Sequence, residues 1–244
     1  MFLLHRDDLG AEGVNVKVVQ LDVTDSVSIS AAKEVIEKQE GRLDVLVNNA
    51  GKADAKDPAS SCRCLIASQG AAFFEHDQNA TTVSLSVVRD AFEPNFFGLI
   101  QTTTTFLPLL RASPQAVILN VTTDMASNTL QSKSDRLHVV AYNTSKAAAN
   151  SYTIALAHEL KGAGIKVNAV TPGFTSTKLN HFGEGGKSSK AGAEILLPWA
   201  LLDQSGPTGP IYCYLSLSAQ LMLFRSVHWG KWRRNPVVNV NLRC

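Results

Sequence analysis

The sequence predicts an α/β fold in which helices cover a parallel β-sheet. Short apolar segments rich in β-branched residues alternate with longer segments whose apolar residues recur at helical spacing. Strands joined through helices run parallel, because each crossover returns the chain to the same end of the sheet. Polar or glycine-containing motifs follow several of the apolar segments directly, and such sheets bind ligands beyond the carboxyl ends of their strands. We therefore expect one site at that edge.

The composition is that of a globular protein with one large domain. Hydrophobic residues make up 45% and charged residues 18% of the 244 residues, which is enough for a sizeable core. The net charge of +2 gives no indication of nucleic-acid binding, and no apolar run reaches the roughly 18 residues of a membrane span. The cysteines form neither a disulfide framework nor a zinc spacing, so we expect no metal site and a cytoplasmic location.

Periodicity and terminating residues define the individual elements. A run that is apolar throughout is typical of a strand buried on both faces, and recurrence every three to four positions predicts a helix. Gly41 ends one predicted helix, and Gly162 and Gly164 end another, since glycine readily adopts the left-handed conformation found at helix C-termini. In chain order we predict a strand over residues 14–21, a helix from residues 24–26 to about 40, a strand over 43–47, a helix over 84–110, a strand over 116–121, a helix over 142–161, a strand over 165–170 and a last strand near 211–215.

Two loops are candidates for the walls of the site. Residues 52–82 are rich in Ala, Ser and Gly, and form a long loop for a compact domain. Residues 179–193 are rich in Gly, Ser and Lys and predict a mobile lid. Pro94 interrupts the helix predicted over residues 84–110, because proline removes a backbone hydrogen bond and kinks a helix.

Tyr142 and Lys146 stand four residues apart at the start of a predicted helix. This spacing places both side chains on one helix face, with Cβ atoms about 5–6 Å apart. A neighbouring ammonium group favours the phenolate, lowers the tyrosine pKa and suits the phenol to proton transfer near neutral pH. The alternative is a surface tyrosine and lysine on an amphipathic helix, because short motifs also match by chance.

A series of motifs in this order resembles the short-chain dehydrogenase/reductase family. The resemblance covers about residues 14–212 and implies a doubly wound, mostly parallel Rossmann-like sheet in three layers. It also implies an NAD(P)(H)-dependent oxidoreductase that transfers a hydride between nicotinamide and a carbonyl or secondary alcohol. The motifs are Leu-Asp-Val-Thr-Asp at 21–25, Leu-Asp-Val-Leu-Val-Asn-Asn-Ala-Gly at 43–51, Tyr-Asn-Thr-Ser-Lys at 142–146, Pro-Gly-Phe-Thr-Ser-Thr at 172–177 and Gly-Pro-Thr-Gly at 206–209.

The resemblance implies a catalytic role for four residues. Tyr142 matches the family's catalytic acid or base, and Lys146 matches the lysine that lowers its pKa and binds the nicotinamide ribose. Thr123 falls at the position of the catalytic hydroxyl. Ser127 is an alternative, because the spacing to Tyr142 is longer than usual. Asn95 matches the helix asparagine that supports a proton relay through water.

Further matches concern the cofactor. Each of these positions also has a plain interpretation as a strand-end cap, a turn residue or a helix N-cap. Arg6 follows the first apolar run, where NADP-dependent relatives place an arginine against the 2′-phosphate, which favours NADP over NAD. Together with Tyr142 and Lys146, the residues implied in cofactor binding are Asp22, Val23, Asn49, Thr175, Thr177 and Arg6.

The chain departs from the family pattern at its start. The family begins with a strand and a glycine-rich turn, T-G-x-x-x-G-x-G, that cradles the pyrophosphate, and no such motif occurs here. We therefore expect a sheet truncated at its N-terminal strand, in a domain of residues 1–215 with an atypical tail of residues 216–244. An alternative function is a catalytically impaired or non-catalytic relative that cannot hold dinucleotide. The expected partners are a small-molecule carbonyl or alcohol and further copies of the chain in a homodimer or homotetramer.

Overall fold

The computed structural model describes residues 17–53, 77–133, 138–212 and 240–243, and these form an α/β fold as predicted. The strands are β1 (Val19–Asp22), β2 (Val45–Asn48), β3 (Val117–Val121), β4 (Lys166–Val170), β5 (Ile211–Tyr212) and β6 (Val240–Arg243). The helices are α1 (Ser26–Glu40), α2 (Leu85–Phe92), α3 (Gly98–Arg111), α4 (Asn128–Gln131), α5 (Val140–Leu160) and α6 (Ser189–Ala200). In these ranges no helix combines the length and the apolar character that crossing a membrane requires.

The described strands all pair in parallel, but they form two sheets. One sheet has the order β2-β3-β4-β5, and β1 pairs separately with β6. In the larger sheet Asn48 lies opposite Asn120, and Asn120 lies opposite Ala169, so the carboxyl ends of β2, β3 and β4 share one edge. Among the described residues no strand is hydrogen-bonded between β1 and β2. The single sheet expected from the sequence is therefore divided at this point.

Helices cover both faces of the larger sheet. Ile118 of β3 belongs to a buried cluster that includes Phe106 of α3 and Leu160 of α5. Its neighbour Val117 points to the other face and packs with Trp199 of α6. Successive side chains of a strand alternate between faces, so a strand between two helical layers is apolar throughout. This packing explains the uninterrupted apolar run in the sequence and confirms the doubly wound, three-layer architecture.

An apolar core joins β1 and α1 to the rest of the domain, in place of sheet hydrogen bonds. Leu21 of β1 and Ile29 and Ile36 of α1 are buried in the same cluster as Phe106 and Leu110 of α3. Removing apolar surface from water stabilises the fold by about 25 cal/mol per Å². This non-directional term holds β1 in place without requiring it to share a ladder with β2.

Pro94 interrupts the helix predicted over residues 84–110, as expected. The chain forms α2, then one π-helical turn over Glu93–Phe97, and then α3. Proline lacks the N–H that a continuous α-helix needs at this point, and a π-turn accommodates the break. Asn95 lies within this turn and is fully buried.

Gly98 lies where the start of α3 touches the end of β1. A Cβ atom at this position would lie 2.8 Å from the carbonyl oxygen of Val23 and 2.9 Å from its Cγ2 atom. We expect Gly98→Ala to lower the free energy of unfolding by about 1–3 kcal/mol, because one of the two elements must move. Urea denaturation measures this difference.

The matched control is Gly162→Ala. An added Cβ at Gly162 meets no atom within 4 Å. We expect its free energy of unfolding to stay within about 0.5 kcal/mol of the wild-type value. Equal stability of the two variants would contradict the close contact between β1 and α3.

Candidate active site

The inner face of α5 carries polar side chains towards the edge formed by the carboxyl ends of the strands. These residues are spaced by three or four positions and share one helix face, but they are buried instead of facing solvent. Buried polar groups need hydrogen-bond partners, so this face can pack only against matching groups. The residues are Tyr142, Ser145, Lys146, Asn150 and Thr153. The interpretation of Tyr142 and Lys146 as a surface pair is therefore excluded.

Lys146 reaches the carboxyl end of β3. Its Nζ atom donates a hydrogen bond of 3.0 Å to the carbonyl oxygen of Val121, the last residue of that strand. A Cβ atom at Gly51 would lie 3.4 Å from Lys146 Nζ and 3.1 Å from Asn95 Oδ1. The absence of a side chain at Gly51 therefore leaves space next to the Lys146 ammonium group and the Asn95 amide oxygen.

The Tyr142 phenol is buried in an apolar setting. Tyr142 packs with Ala53, Val139 and Met125. Burial raises its pKa to about 12, and a hydrogen bond with the Thr123 hydroxyl opposes this change. The lowered pKa predicted from the Lys146 spacing is wrong for this structure, because the loss of solvation outweighs the hydrogen bond with Thr123. The phenol is protonated at neutral pH.

Thr123 supplies the hydroxyl next to Tyr142. It follows β3 and caps a 3-10 turn over Asp124–Ala126, with its Oγ1 atom accepting a hydrogen bond of 3.3 Å from the Met125 amide. Its plain interpretation as a turn residue is thus correct, and the same hydroxyl also contacts the phenol. The Ser127 hydroxyl accepts a hydrogen bond from the Leu130 amide and caps α4. The structure therefore places Thr123, and not the alternative Ser127, at the phenol.

Asn95 ties the loop after β2 to α5. Its Oδ1 atom accepts a hydrogen bond of 2.8 Å from the Lys52 amide, and its Nδ2 atom donates to the Lys52 carbonyl oxygen at 2.9 Å. Nδ2 also donates to the Ser145 hydroxyl at 2.9 Å, and that hydroxyl donates to the Tyr142 carbonyl oxygen. Asn95 therefore joins Tyr142 and the end of β2 in one network, despite the neighbouring Pro94.

A second network lies beneath this one, and sequence reasoning missed it. Asn48 Nδ2 donates hydrogen bonds to Asn120 Oδ1 at 2.8 Å and to Thr103 Oγ1 at 3.0 Å. Asn120 Nδ2 then donates to Thr153 Oγ1 at 2.8 Å. The network links β2, β3, α3 and α5. The available signal was an asparagine within the apolar run of β3, since a buried amide requires partners.

Of the residues expected near adenine, Asp22 and Val23 lie at the end of β1, and Asn49 directly follows β2. Asp22 Oδ1 accepts hydrogen bonds from the Thr24 amide at 2.8 Å and from its hydroxyl at 2.7 Å, and these lower the pKa of Asp22. An open cleft with a volume of about 320 Å³ is lined by Asp22, Thr24, Lys52, Asp90, Glu93 and Pro94. Val23 is buried and Asn49 is exposed. Arg6 lies outside the described residues.

Thr175 and Thr177 lie in the loop after β4. The Thr175 hydroxyl donates a hydrogen bond of 3.0 Å to the Gly173 carbonyl oxygen, and Thr177 forms a capping box with Asn180. Lys187 closes the loop by pairing with Thr175, and its Nζ atom donates to the Pro172 carbonyl oxygen at 2.7 Å. Thr177 therefore occupies the N-cap position expected of it in the plain interpretation. Residues 179–193, predicted as a lid, are not all loop, because α6 begins at Ser189.

Comparisons with known proteins identify the family of the chain. Residues 5–184 match the family described as short chain dehydrogenase, and this stretch is well over half of the chain. The chain belongs to the short-chain dehydrogenase family. The membership confirms the resemblance seen in the sequence. Its relatives include named reductases and dehydrogenases, so this short-chain dehydrogenase is an oxidoreductase.

The match with this chain covers most of the length of several relatives. Salutaridine reductase of Papaver bracteatum is 28% identical over 251 residues, covering 84% of this chain and 80% of that protein. The (+)-neomenthol dehydrogenase of Arabidopsis thaliana is 31% identical over 235 residues, covering 81% and 76%. The structure of salutaridine reductase from Papaver somniferum superposes with a TM-score of 0.63 at 26% identity, covering 79% of this chain and 80% of that one. An NADPH-bound carbonyl reductase from chicken fatty liver, at 21% identity and a TM-score of 0.66 over 87% of this chain and 80% of that chain, shares the fold.

The raised pKa of Tyr142 makes the stability of this short-chain dehydrogenase depend on pH. Between the ordinary pKa of 10.0 and the folded value of about 12, the unfolded phenol ionises and the buried one stays protonated. The unfolded state then binds fewer protons, so stability falls as pH rises through this window. We expect Tyr142→Phe to remove about 3 kcal/mol of that fall, at about 1.4 kcal/mol for each pKa unit.

Urea denaturation from about pH 9 to about pH 12 measures the effect for the wild type and for Tyr142→Phe. A comparison variant is Thr123→Val, which removes a hydrogen bond that lowers the Tyr142 pKa. We expect its stability to fall further over this pH range than that of the wild type. Curves for the wild type and Tyr142→Phe that run parallel across the window would show that the phenol titrates normally.

Proposed function

We propose that this chain catalyses hydride transfer between NADP(H) and a small-molecule carbonyl or secondary alcohol, with Tyr142 as the acid or base. The observation that carries the proposal is the buried Tyr142 phenol, which contacts the Thr123 hydroxyl and shares a helix face with Lys146. These groups stand at the carboxyl end of β3, where ligands of parallel sheets bind. A phenol, a hydroxyl and an ammonium at one strand end suit proton transfer to a reacting oxygen.

In the reduction direction, we propose that Tyr142 donates a proton to the substrate oxygen while the Thr123 hydroxyl positions that oxygen. The phenol is protonated at neutral pH, as proton donation requires, and burial raises its pKa and makes it a weaker acid. Asn95 positions the backbone of α5 through Ser145, whose hydroxyl donates to the Tyr142 carbonyl oxygen. Alcohol oxidation instead needs the phenolate, which burial disfavours.

The proposed cofactor fits the residues at this edge in part. Gly51 has no side chain, which leaves space beside Lys146 Nζ and Asn95 Oδ1, and the Asp22 carboxylate borders an open cleft. We propose that Asp22, Val23 and Asn49 bind the adenine end and that Lys146, Thr175 and Thr177 bind the nicotinamide end. When bound, the cofactor supplies the hydride, and the chain contributes orientation and proton transfer.

The preference for NADP over NAD is a proposal that depends on Arg6. A guanidinium group binds a phosphate through two parallel hydrogen bonds. NAD has no 2′-phosphate and cannot accept them. We expect Arg6→Gln to weaken NADPH binding about tenfold and leave NADH binding unchanged. Fluorescence titration with each cofactor measures both affinities. Equal losses for the two cofactors would show that Arg6 contacts something other than the 2′-phosphate.

The proposed acid-base role predicts the effect of removing one hydroxyl. We expect Tyr142→Phe to lower kcat for NADPH-dependent reduction of phenanthrenequinone by about 100- to 10,000-fold, the usual contribution of a positioned proton donor. NADPH affinity, measured by fluorescence titration, is expected to stay unchanged, since the ring and Lys146 remain.

The control for this experiment is Tyr152→Phe. Tyr152 belongs to the same helix and also has a pKa raised to about 12 by burial, but it lies ten residues away from Tyr142 along α5. We expect wild-type kcat for this variant. Activity that survives Tyr142→Phe would refute the assignment of the proton donor.

The alternative of a relative that cannot hold dinucleotide is not favoured by the comparisons. The same titration tests it directly, because an impaired relative would show no saturable NADPH binding up to about millimolar cofactor.

Our further proposals are a domain of residues 1–215 with a tail of 216–244, a cytoplasmic location and a homodimer or homotetramer. The exposed apolar side chains of Phe97 and Ile154 support self-association, which light scattering would measure.

A further inference from the structure

We propose that Gln78 is a positioning residue, which holds the first turn of α5 and thereby aims the Tyr142 phenol. This proposal depends on the proposed function only in giving Tyr142 the role of proton donor. Gln78 lies in the described loop before α2 and is 6% exposed, unlike its exposed neighbours Asp77 and Asn79. A glutamine is seldom buried so completely without a specific partner.

The N-terminus of α5 needs partners from outside the helix. The first backbone N–H groups of any helix have no intrahelical acceptor, and here the N-cap residue Val139 has no side-chain oxygen to offer. Gln78 provides two acceptors instead. Its backbone carbonyl oxygen accepts from the Val140 amide at 3.1 Å, and its Oε1 atom accepts from the Tyr142 amide at 3.3 Å. One residue distant in sequence thus replaces the usual cap.

The same side chain connects α5 to the loop after β2. Gln78 Nε2 donates to the Ala53 carbonyl oxygen at 3.4 Å. Ala53 follows Lys52, whose backbone Asn95 holds, and Ala53 packs against Tyr142 in the apolar cluster around the phenol. A primary amide is the group that can accept from one backbone unit and donate to another at once. Gln78 therefore fixes the distance between the wall of the phenol pocket and the backbone of Tyr142.

This geometry has a consequence for catalysis. When the backbone amide of Tyr142 is held, its side chain samples fewer orientations. Proton transfer requires the donor within about 3 Å of the acceptor, so fewer orientations favour it. Without the Gln78 contacts, the first turn of α5 opens more often and the phenol occupies the productive position for less time. We expect kcat to fall, while the affinity for NADPH stays near the wild-type value because Lys146 lies a full turn further along α5.

Three variants separate these contacts. Gln78→Met has nearly the same side-chain length and removes the Oε1 acceptor and the Nε2 donor, while the backbone carbonyl oxygen that accepts from Val140 remains. Gln78→Glu keeps the acceptor for the Tyr142 amide, and a negative group is favoured at a helix N-terminus. Asn79→Ala is the matched control, since Asn79 is exposed and its side chain contacts Asp77 of the same loop.

Hydrogen exchange of the full chain, followed over residues 140–145, tests the proposal without any substrate. We expect exchange at least about tenfold faster in Gln78→Met, and near wild-type exchange in Gln78→Glu and Asn79→Ala. Wild-type exchange in Gln78→Met would overturn the proposal. So would exchange in Gln78→Glu that is as fast as in Gln78→Met, because then the acceptor does not hold the turn. If Gln78→Met fails to fold, exchange in Gln78→Glu that is much faster than in Asn79→Ala would by itself overturn the proposal.

A kinetic readout with NADPH and phenanthrenequinone separates positioning from general stability. We expect Gln78→Met to lower kcat at least about tenfold with an unchanged KM for NADPH, and Gln78→Glu to restore most of kcat. A rise in KM with unchanged kcat would contradict a role that acts through Tyr142. If the wild type itself shows no reduction, the proposed function fails, and the exchange experiment still supports or overturns the role of Gln78.

Discussion

The structure depends on the burial of a polar helix face. Half of the buried residues of α5 carry side chains that hydrogen-bond, so α5 can dock on the sheet only where each of these groups meets a partner. Thr153 meets Asn120 of β3, and Lys146 meets the Val121 carbonyl oxygen at the end of the same strand. Apolar packing tolerates small sliding movements, but hydrogen bonds weaken steeply with distance and angle. The polar face therefore fixes the register of α5 against β3, and with it the location of the Tyr142 phenol.

The same burial determines the chemistry that the phenol can perform. A group removed from water resists ionisation, so the fixed location of Tyr142 and its raised pKa have one cause. Lys146 does not reverse this effect in the structure, since its ammonium group donates to the Val121 carbonyl oxygen at the strand end. A protonated, rigidly held phenol suits proton donation to a carbonyl oxygen.

Sequence reasoning found the parts of the site that lie next to strand ends or within short motifs. Thr123 and Lys146 were predicted because strand ends and helical spacing are local properties. The pKa of Tyr142 was predicted in the wrong direction, because spacing along a helix does not give the degree of burial. Gln78 was missed for a different reason. It acts 64 residues away from Tyr142 through a loop, and no periodicity marks a residue that caps a distant helix.

The loops after β2 and β4 are held in different ways, and this difference has a physical consequence. Asn95 is fully buried and satisfies both the amide and the carbonyl of Lys52, so separating them would leave buried polar groups without partners. Lys187 holds the loop after β4 through the Pro172 carbonyl oxygen, but it is only half-buried, and burial lowers its pKa while Asp124 opposes that change. Water can replace its contact at little cost. Lys52 after β2 is thus held more firmly than Pro172 after β4, whose contact with Lys187 exchanges more readily with water.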